Sequence, residues 1–361
     1  MRVTVVRPGD LGPSEASQWA RFQKSSPELQ NPFFSLTFAQ IVGRHQPNSR
    51  VAVVEDNGAI QAFLPFDLGP QRIGVPIGDP MNNLQGFIGS GLPIDARWAV
   101  KQAHLRGWRF NSVPVGQRAF APFHYEGTAV PCPVIDLTKN LSHISERRKA
   151  RRALEQRFGT VSLEWNSTQP THVGQLIEWK SRKYYGTSQL FSDPTARSIV
   201  EELATSHGDE CNGIVSVLFA GGRPAAVHLG LLGSRSLAGW FMSYDPELSR
   251  FSPGMVLWSP LARAAEERGI SQIDLGAGQD AYKFGLYNDS YRVAGGAVWV
   301  SGAEAVARKT FRRLRARSYS PTTNARSRLW RVSRDTLPTG RPSAPLPPSC
   351  SPIPRRRSTR M

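Results

Sequence analysis

Tyr244-Asp245-Pro246 leads into Arg250-Phe251-Ser252-Pro253-Gly254, then an apolar run from Met255 that stops at Gly269. Behind it come the apolar segment Ile270 to Leu275 and Asp280-Ala281-Tyr282-Lys283-Phe284-Gly285-Leu286. With the residues from Arg223 onward, this reads as strand, strand, turn, helix, strand and short helix. Each residue of the turn has a local reason. Ser252 is of a type that caps helices, Pro253 suits the first helical position, and Gly254 lets another backbone or a phosphate come close. The amides at such a helix start, with Arg250 beside them, would hold a pyrophosphate; an ordinary capped helix has the same sequence.

In the preceding strand Ala238, Trp240, Met242 and Tyr244 alternate with Gly239, Phe241, Ser243 and Asp245. Both faces are covered, as in the middle of a sheet. A thioester beside such a strand could have its carbonyl polarised by backbone N–H groups. His228 lies on a neighbouring strand between Ala226 and Gly230 of its own face. These small residues leave room around an imidazole suited to general-base work, although a hydrogen-bonded core histidine reads equally from the pattern. Asp274 ends the following strand, and a carboxylate buried there alone would be costly. Tyr282 could protonate a departing thiolate, and Lys283 could hold a phosphate or an acceptor carboxylate; a core tyrosine and a surface lysine are the plainer alternatives.

A chain of 361 residues is too long for one ordinary domain and predicts two lobes. The start has no extended apolar stretch, and no run reaches the roughly 20 apolar residues of a membrane span. The expectation is a cytoplasmic protein. Cys132, Cys211 and Cys350 are far apart and the seven histidines are scattered, so no metal site is expected. The formal charge is +17. From Ser301 onward there are 15 Arg and Lys against two acids, so most of the excess sits in the tail. This pattern favours an arm touching a polyanion or an anionic membrane surface over a DNA-binding fold, with a solvated disordered tail as the alternative.

In chain order, Val51 to Asp56, the turn Asn57-Gly58 and Ala59 to Leu64 predict a hairpin. Ile214 to Phe219, Gly221-Gly222 and Ala225 to Leu232 repeat the layout, which suggests an internal duplication. Six residues past the turn glycine the first copy has Leu64 and the second has His228. Between them, a basic helix is expected over 142–158, capped by Ser142, with Arg147, Arg148, Lys149, Arg151, Arg152 and Arg157. It is either a solvated face or a surface for a phosphate-rich ligand. Further helices are expected from His172 to Tyr185 and from Pro194 to Gly208. Val293 to Val300 reads as a last strand and Glu304 to Arg317 as a basic helix. The division is a first lobe over 1–138, a second over 139–303 and a basic, largely disordered tail over 304–361.

Ile273-Asp274-Leu275-Gly276-Ala277-Gly278 imitates a dinucleotide-binding fingerprint. That motif opens a sheet needing well over about a hundred further residues, and too few follow here. The order of elements instead resembles the GNAT acyltransferase fold, and in detail the CelD/BcsL branch of cellulose biosynthesis acetyltransferases, relatives of the FemAB transferases. The residues that carry this are Gly222-Arg223-Pro224-Ala225-Ala226, Tyr244-Asp245-Pro246, Ser252-Pro253-Gly254, Gly269-Ile270, Asp274-Leu275-Gly276 and Tyr282-Lys283, with Pro32-Phe33 and Gly58 to Pro65 in a degenerate first half.

The resemblance implies an α/β (α+β) fold of tandem GNAT-like lobes, each a twisted mixed sheet flanked by helices. It implies acetyl-CoA or another acyl-CoA at the second lobe, bound by Tyr244, Arg250, Ser252, Gly254, Met255 and Lys283. His228, Asp274 and Tyr282 are then the expected catalytic residues, with His228 or Asp274 deprotonating the acceptor. The acceptor is expected to be an amine or a sugar-derived precursor of exopolysaccharide. The usual GNAT phosphate loop is Arg/Gln-x-x-Gly-x-Gly/Ala, whereas Arg250 is followed by a single, shifted glycine. Aminoacyl-tRNA is therefore the alternative donor, and a non-catalytic scaffold docked on a membrane-bound polysaccharide synthase is the third reading.

Overall fold

Asn57 and Gly58 have φ of 48° and 79°, and Gly221 and Gly222 have 59° and 79°. These positive dihedrals let two consecutive strands turn back on each other within two residues. The computed structural model describes residues 1–306 apart from 92, 142, 143, 145–147, 184, 209, 279 and 305. Ser142 as a cap, Arg147, most of the helix expected from Glu304 to Arg317 and the rest of the tail lie outside the described residues.

The first part of the chain forms β1 (Arg2–Val6), α1 (Pro13–Ser25), α2 (Leu36–His45), β2 (Ser49–Asp56), β3 (Ala59–Leu68), β4 (Ile73–Pro76), β5 (Ile88–Gly89), α3 (Ala96–Gln102), β6 (Gly107–Pro114) and β7 (Val130–Asp136). The second forms α4 (Arg148–Phe158), β8 (Val161–Glu164), α5 (Pro170–Lys183), α6 (Tyr185–Phe191), α7 (Pro194–Ala204), β9 (Asn212–Ala220), β10 (Arg223–Leu232), β11 (Ser236–Tyr244), α8 (Pro253–Glu266), β12 (Gln272–Asp274) and β13 (Asp289–Trp299). The helix expected from His172 to Tyr185 is thus α5, with α6 following it.

Both halves use one pairing scheme. β1–β2, β2–β3 and β3–β4 are antiparallel and β4–β6 is parallel. β8–β9, β9–β10 and β10–β11 are antiparallel and β11–β12 is parallel. Even the bulges match, because Gln61 and Ala225, each the third residue after its turn glycine, fall at the register shifts. The repeated layout read from the two hairpins therefore extends over five strands in each half.

The halves join by exchanging strands. β7 pairs with β12, and β13 pairs with β6 through Val293–Trp299 and with β7 through Asp289–Val293. The result is one continuous sheet, ordered β1-β2-β3-β4-β6-β13-β7-β12-β11-β10-β9-β8, with β5 attached to β3. Separate apolar clusters fill the two ends of the fold. Ala52, Leu64, Phe66, Trp108 and Phe120 pack in the first half, and Leu154, Leu237, Val256, Leu257 and Ile273 pack under α8 in the second. Burial of such side chains is the main stabilising term. The largest cluster runs from Trp19, Phe33 and Phe38 to Leu176, Phe191 and Phe241, and so joins the halves.

Candidate functional site

The parallel pair β11–β12 lasts three residues, Ser236↔Gln272, Leu237↔Ile273 and Ala238↔Asp274. β11 then continues to Tyr244 beside β10 alone, with a register shift that leaves Trp240 as the extra residue between Phe241 and Gly239. A parallel sheet opened in this way exposes main-chain donors and acceptors within the protein, where they need partners. The bulge also re-aims the strand at this point.

Residues of the first half face the opening. Trp240 donates its indole N–H to the Met81 carbonyl (3.0 Å) and meets the Phe33 ring at 5.8 Å. Asn31 Nδ2 donates to Asp274 Oδ2 (2.9 Å). On the helical side Lys180 of α5, 9% exposed, donates to the Met242 carbonyl (3.2 Å). This places an ammonium group beside the opened stretch of β11. Lys180 is a functional candidate that sequence reasoning missed. Its signal is spacing, because Val173, Leu176, Ile177 and Lys180 form one helical stripe, in which a lysine is out of place.

His228 is buried at this vertex, 1% exposed, with its ring 5.5 Å from Trp258 in edge contact. Neither imidazole nitrogen has a hydrogen-bond partner among the described residues, and neither has Trp258 Nε1. A Cβ on Gly239 would stand 3.0 Å from the Asp274 carbonyl oxygen and 3.6 Å from His228 Nε2. Burial lowers the His228 pKa to about 4, so the ring is neutral at ordinary pH and a weak base. A neutral imidazole offers one N–H donor and one acceptor nitrogen.

Asp274 occupies the same vertex with its carboxylate already engaged. Asn31 Nδ2 and the Tyr291 hydroxyl (2.6 Å) donate to Oδ2, and the Gly276 N–H (2.7 Å) and the Cys132 thiol (3.7 Å) to Oδ1. Burial raises its pKa, which the Tyr291 and Gly276 contacts oppose. Burial likewise pushes the Cys132 thiol and the Tyr291 hydroxyl well up. A carboxylate with about four lone-pair sites and four donors is suited to tying segments together rather than to taking an acceptor's proton.

The expected donor-binding residues divide differently from the sequence reading. Lys283 is fully buried, and its ammonium donates to the carbonyls of Gly276 (2.7 Å), Ala277 (3.2 Å) and Gly278 (3.2 Å). It pins a loop, with Asp280 Oδ2 3.7 Å away, in place of the phosphate or carboxylate contact expected from the sequence. Tyr282 lies half-buried in the 3-10 turn Ala281–Lys283, against the cluster under α8. Ser252 does not cap α8 with its side chain; it is left-handed (φ 51°, ψ 49°). Its carbonyl instead accepts the N–H groups of Met255 (2.9 Å) and Val256 (3.2 Å). Since Pro253 has no N–H, the helix start retains only the Gly254 amide for a ligand, not the several that make an anion cradle. Gly254 is needed for packing, since a Cβ would approach Met242 Sδ to 2.8 Å and Tyr244 Cδ1 to 3.1 Å. Tyr244 and Met255 are half-buried against the same cluster.

Positive charge near the helix start comes from side chains. Arg250 is exposed, its guanidinium 4.6 Å from the Phe251 ring, and Phe251 meets Phe158 of α4 at 5.6 Å. The outer face of α4 carries the exposed Arg148, Lys149, Arg152 and Arg157, while Arg151 pairs with Glu155. The residues present therefore fit a thioester at the opened strand pair, and fit an attached phosphate group through arginine and lysine rather than through helix amides.

The family model described as Acetyltransferase (GNAT) domain matches residues 142–284. The match covers less than half of the chain, and the second lobe is similar in fold to a GNAT domain. No curated protein matches the chain. Among solved structures, FemX aligns with a TM-score of 0.53 at 12% identity, over 85% of this chain and 99% of that one. A Bacteroides thetaiotaomicron protein of unknown function gives 0.53 at 12% identity over 80% and 98%. A tandem GNAT protein from the clavulanic acid biosynthesis pathway gives 0.50 at 12% identity over 83% and 98%. At these identities the likeness concerns the fold, and it spans both lobes in tandem. The GNAT-fold lobe holds the opened strand pair, His228, Lys180 and the α4 arginines. Among the described residues no helix is long and apolar enough to cross a membrane, and no three His, Cys, Asp or Glu gather as a metal site would require.

Proposed function

We propose that the chain is an acyltransferase moving an acyl group from a thioester donor, acyl-CoA, to an amine or hydroxyl acceptor at the vertex of β11 and β12. The observation that carries this reading is the three-residue parallel pair, after which β11 runs on from Gly239 without a strand on that side. Edge main-chain groups bind an extended ligand as an added strand does, and the pantetheine arm has amides of that kind. The acceptor nitrogen or oxygen bonds to the thioester carbon, the C–S bond breaks, and the acceptor's proton ends on the released thiol. Lys180 lies beside the strand as a cation for the developing negative charge. A groove of about 550 Å³ among α5, α6 and α7, bounded by Ile177, Ser181, Phe191 and Arg197, lies on the helical side of β11, where Phe191 meets Phe241 at 5.3 Å. The sugar-derived or envelope acceptor rests on the resemblance of the motifs alone.

Isothermal titration with acetyl-CoA tests the reading: saturable binding that Gly239→Ala weakens is expected, and no heat at any concentration would overturn it. A second reading, transfer from aminoacyl-tRNA, is favoured by the four exposed cations of α4 beside Arg250. It requires binding of charged tRNA that is tighter than to random RNA and weakens steeply with salt.

A further inference from the structure

The two lobes carry the same strand register, so the first serves as an internal control for the second. Leu64 and His228 are the sixth residues after their turn glycines, opposite Ala52 and Ser216. The pair Phe66↔Pro76 of β3–β4 corresponds to Gly230↔Gly239 of β10–β11. Where the first lobe has Leu64, Phe66 and Pro76, the second has His228, Gly230 and Gly239. Leu64 and Phe66 are fully buried in a largely apolar cluster with Trp108, whose Nε1 also lacks a partner among the described residues. The fold at this position is thus satisfied by hydrocarbon. The second lobe exchanges that hydrocarbon for two glycines and an imidazole with neither nitrogen bonded among the described residues. Packing accounts for Gly230, whose Cβ would stand 2.8 Å from His228 Cε1, but not for two unbonded nitrogens, since leaving buried polar atoms without partners is unfavourable.

We infer that His228 is a catalytic residue of the thioester site, donating its Nε2–H to the donor's acyl carbonyl oxygen at the vertex beside Gly239. The role rests on the acyl-CoA reading above and replaces proton abstraction by this residue. Nε2 is the nitrogen nearest Gly239, 3.6 Å from its Cβ position, and the Asp274 carbonyl closes the other side of the vertex. Nδ1 is left to accept, and Trp258, whose Nε1 also lacks a partner among the described residues, walls the space from α8. Burial keeps the ring neutral, and a neutral imidazole polarises a carbonyl by donation without first having to lose a proton.

The test compares the full-length protein with His228→Leu, which installs the first lobe's residue, and His228→Gln, which keeps an N–H donor. Three quantities are read: titration heat with CoA and with acetyl-CoA, the carbonyl band of acetyl-CoA labelled with carbon-13 at the carbonyl, and the urea midpoint. The wild type should bind both ligands and shift the bound carbonyl band to lower wavenumber. His228→Leu should bind CoA unchanged, lose the shift, lose at least about tenfold in single-turnover rate and unfold at higher urea. His228→Gln should retain part of the shift. An undiminished band shift in His228→Leu, or a lowered urea midpoint in both variants with the shift intact, would overturn the inference while leaving the donor site standing. Absence of any CoA or acetyl-CoA binding by the wild type would overturn the donor site itself, and this role with it.

Discussion

The Lys283 ammonium sits 2.7 Å from the Gly276 carbonyl oxygen, inside a loop whose next two carbonyls it also binds. A buried charge is tolerated when hydrogen bonds replace its hydration. Lys283→Met should therefore lose about 3 kcal/mol of stability, since three part-buried acceptors lose a fully buried charged donor. A urea-unfolding series checks this; an unchanged midpoint would restore Lys283 as a candidate for ligand binding.

His228 and Asp67 should give opposite pH limbs. The imidazole falls to about 4 on burial, against about 6.5 unfolded. The unfolded chain then holds more protons, so this contribution is complete above about pH 6.5 and is lost as pH falls towards 4, by about 3 kcal/mol. Asp67 accepts from Ser49 Oγ and the Gly78 N–H (2.8 Å), yet burial raises its carboxyl to about 7. Its contribution is present below about pH 4 and lost as pH rises through 7. Relative to wild type, His228→Leu should gain stability below pH 6.5 and Asp67→Asn above pH 4, both levelling off beyond their windows. Stability measured at half-unit steps from pH 4 to 8 decides it, and differences independent of pH would remove both assignments.

Gly239→Ala sets a methyl group 3.0 Å from the Asp274 carbonyl oxygen, inside the vertex. The neighbouring backbone has to give by a few tenths of an ångström, a modest strain of about 1 kcal/mol. Acetyl-CoA affinity should fall at least about tenfold while the fold survives. Binding equal to wild type would move the donor away from β11.

The exposed face of α4 predicts a salt-sensitive interaction. The double variant Arg152→Glu and Arg157→Glu should leave the urea midpoint within about 0.5 kcal/mol of wild type. Affinity for tRNA or heparin should fall, and the slope of log affinity against log salt should flatten by about one for each anionic group no longer neutralised. An unaltered slope would make this face a solvated one.

Local chemistry made the hairpins, the caps and the helix stops readable. Asn57-Gly58 and Gly221-Gly222 turn because those residues accept positive φ, Asp193 caps α7 by accepting the Thr195 N–H, and Gly269 ends the turn after α8 with φ 71°. The stripe that carries Lys180 was equally present in the sequence, and only its meaning was missed. Partners far apart in the chain were not readable. Asn31 and Asp274 are 243 residues apart, and their meeting depends on β7 and β13 changing places between lobes. That exchange follows from register and burial across the whole sheet, which no short window specifies. The same limit applies to Ser252, which is a capping type by composition but left-handed in place, and to Lys283, whose charge ends on three carbonyls. Residue identity supplied the turn chemistry and the repeat. Three-dimensional packing alone decided which polar groups at the vertex bond to the protein, as Asp274 does, and which, like the His228 nitrogens, have no partner among the described residues.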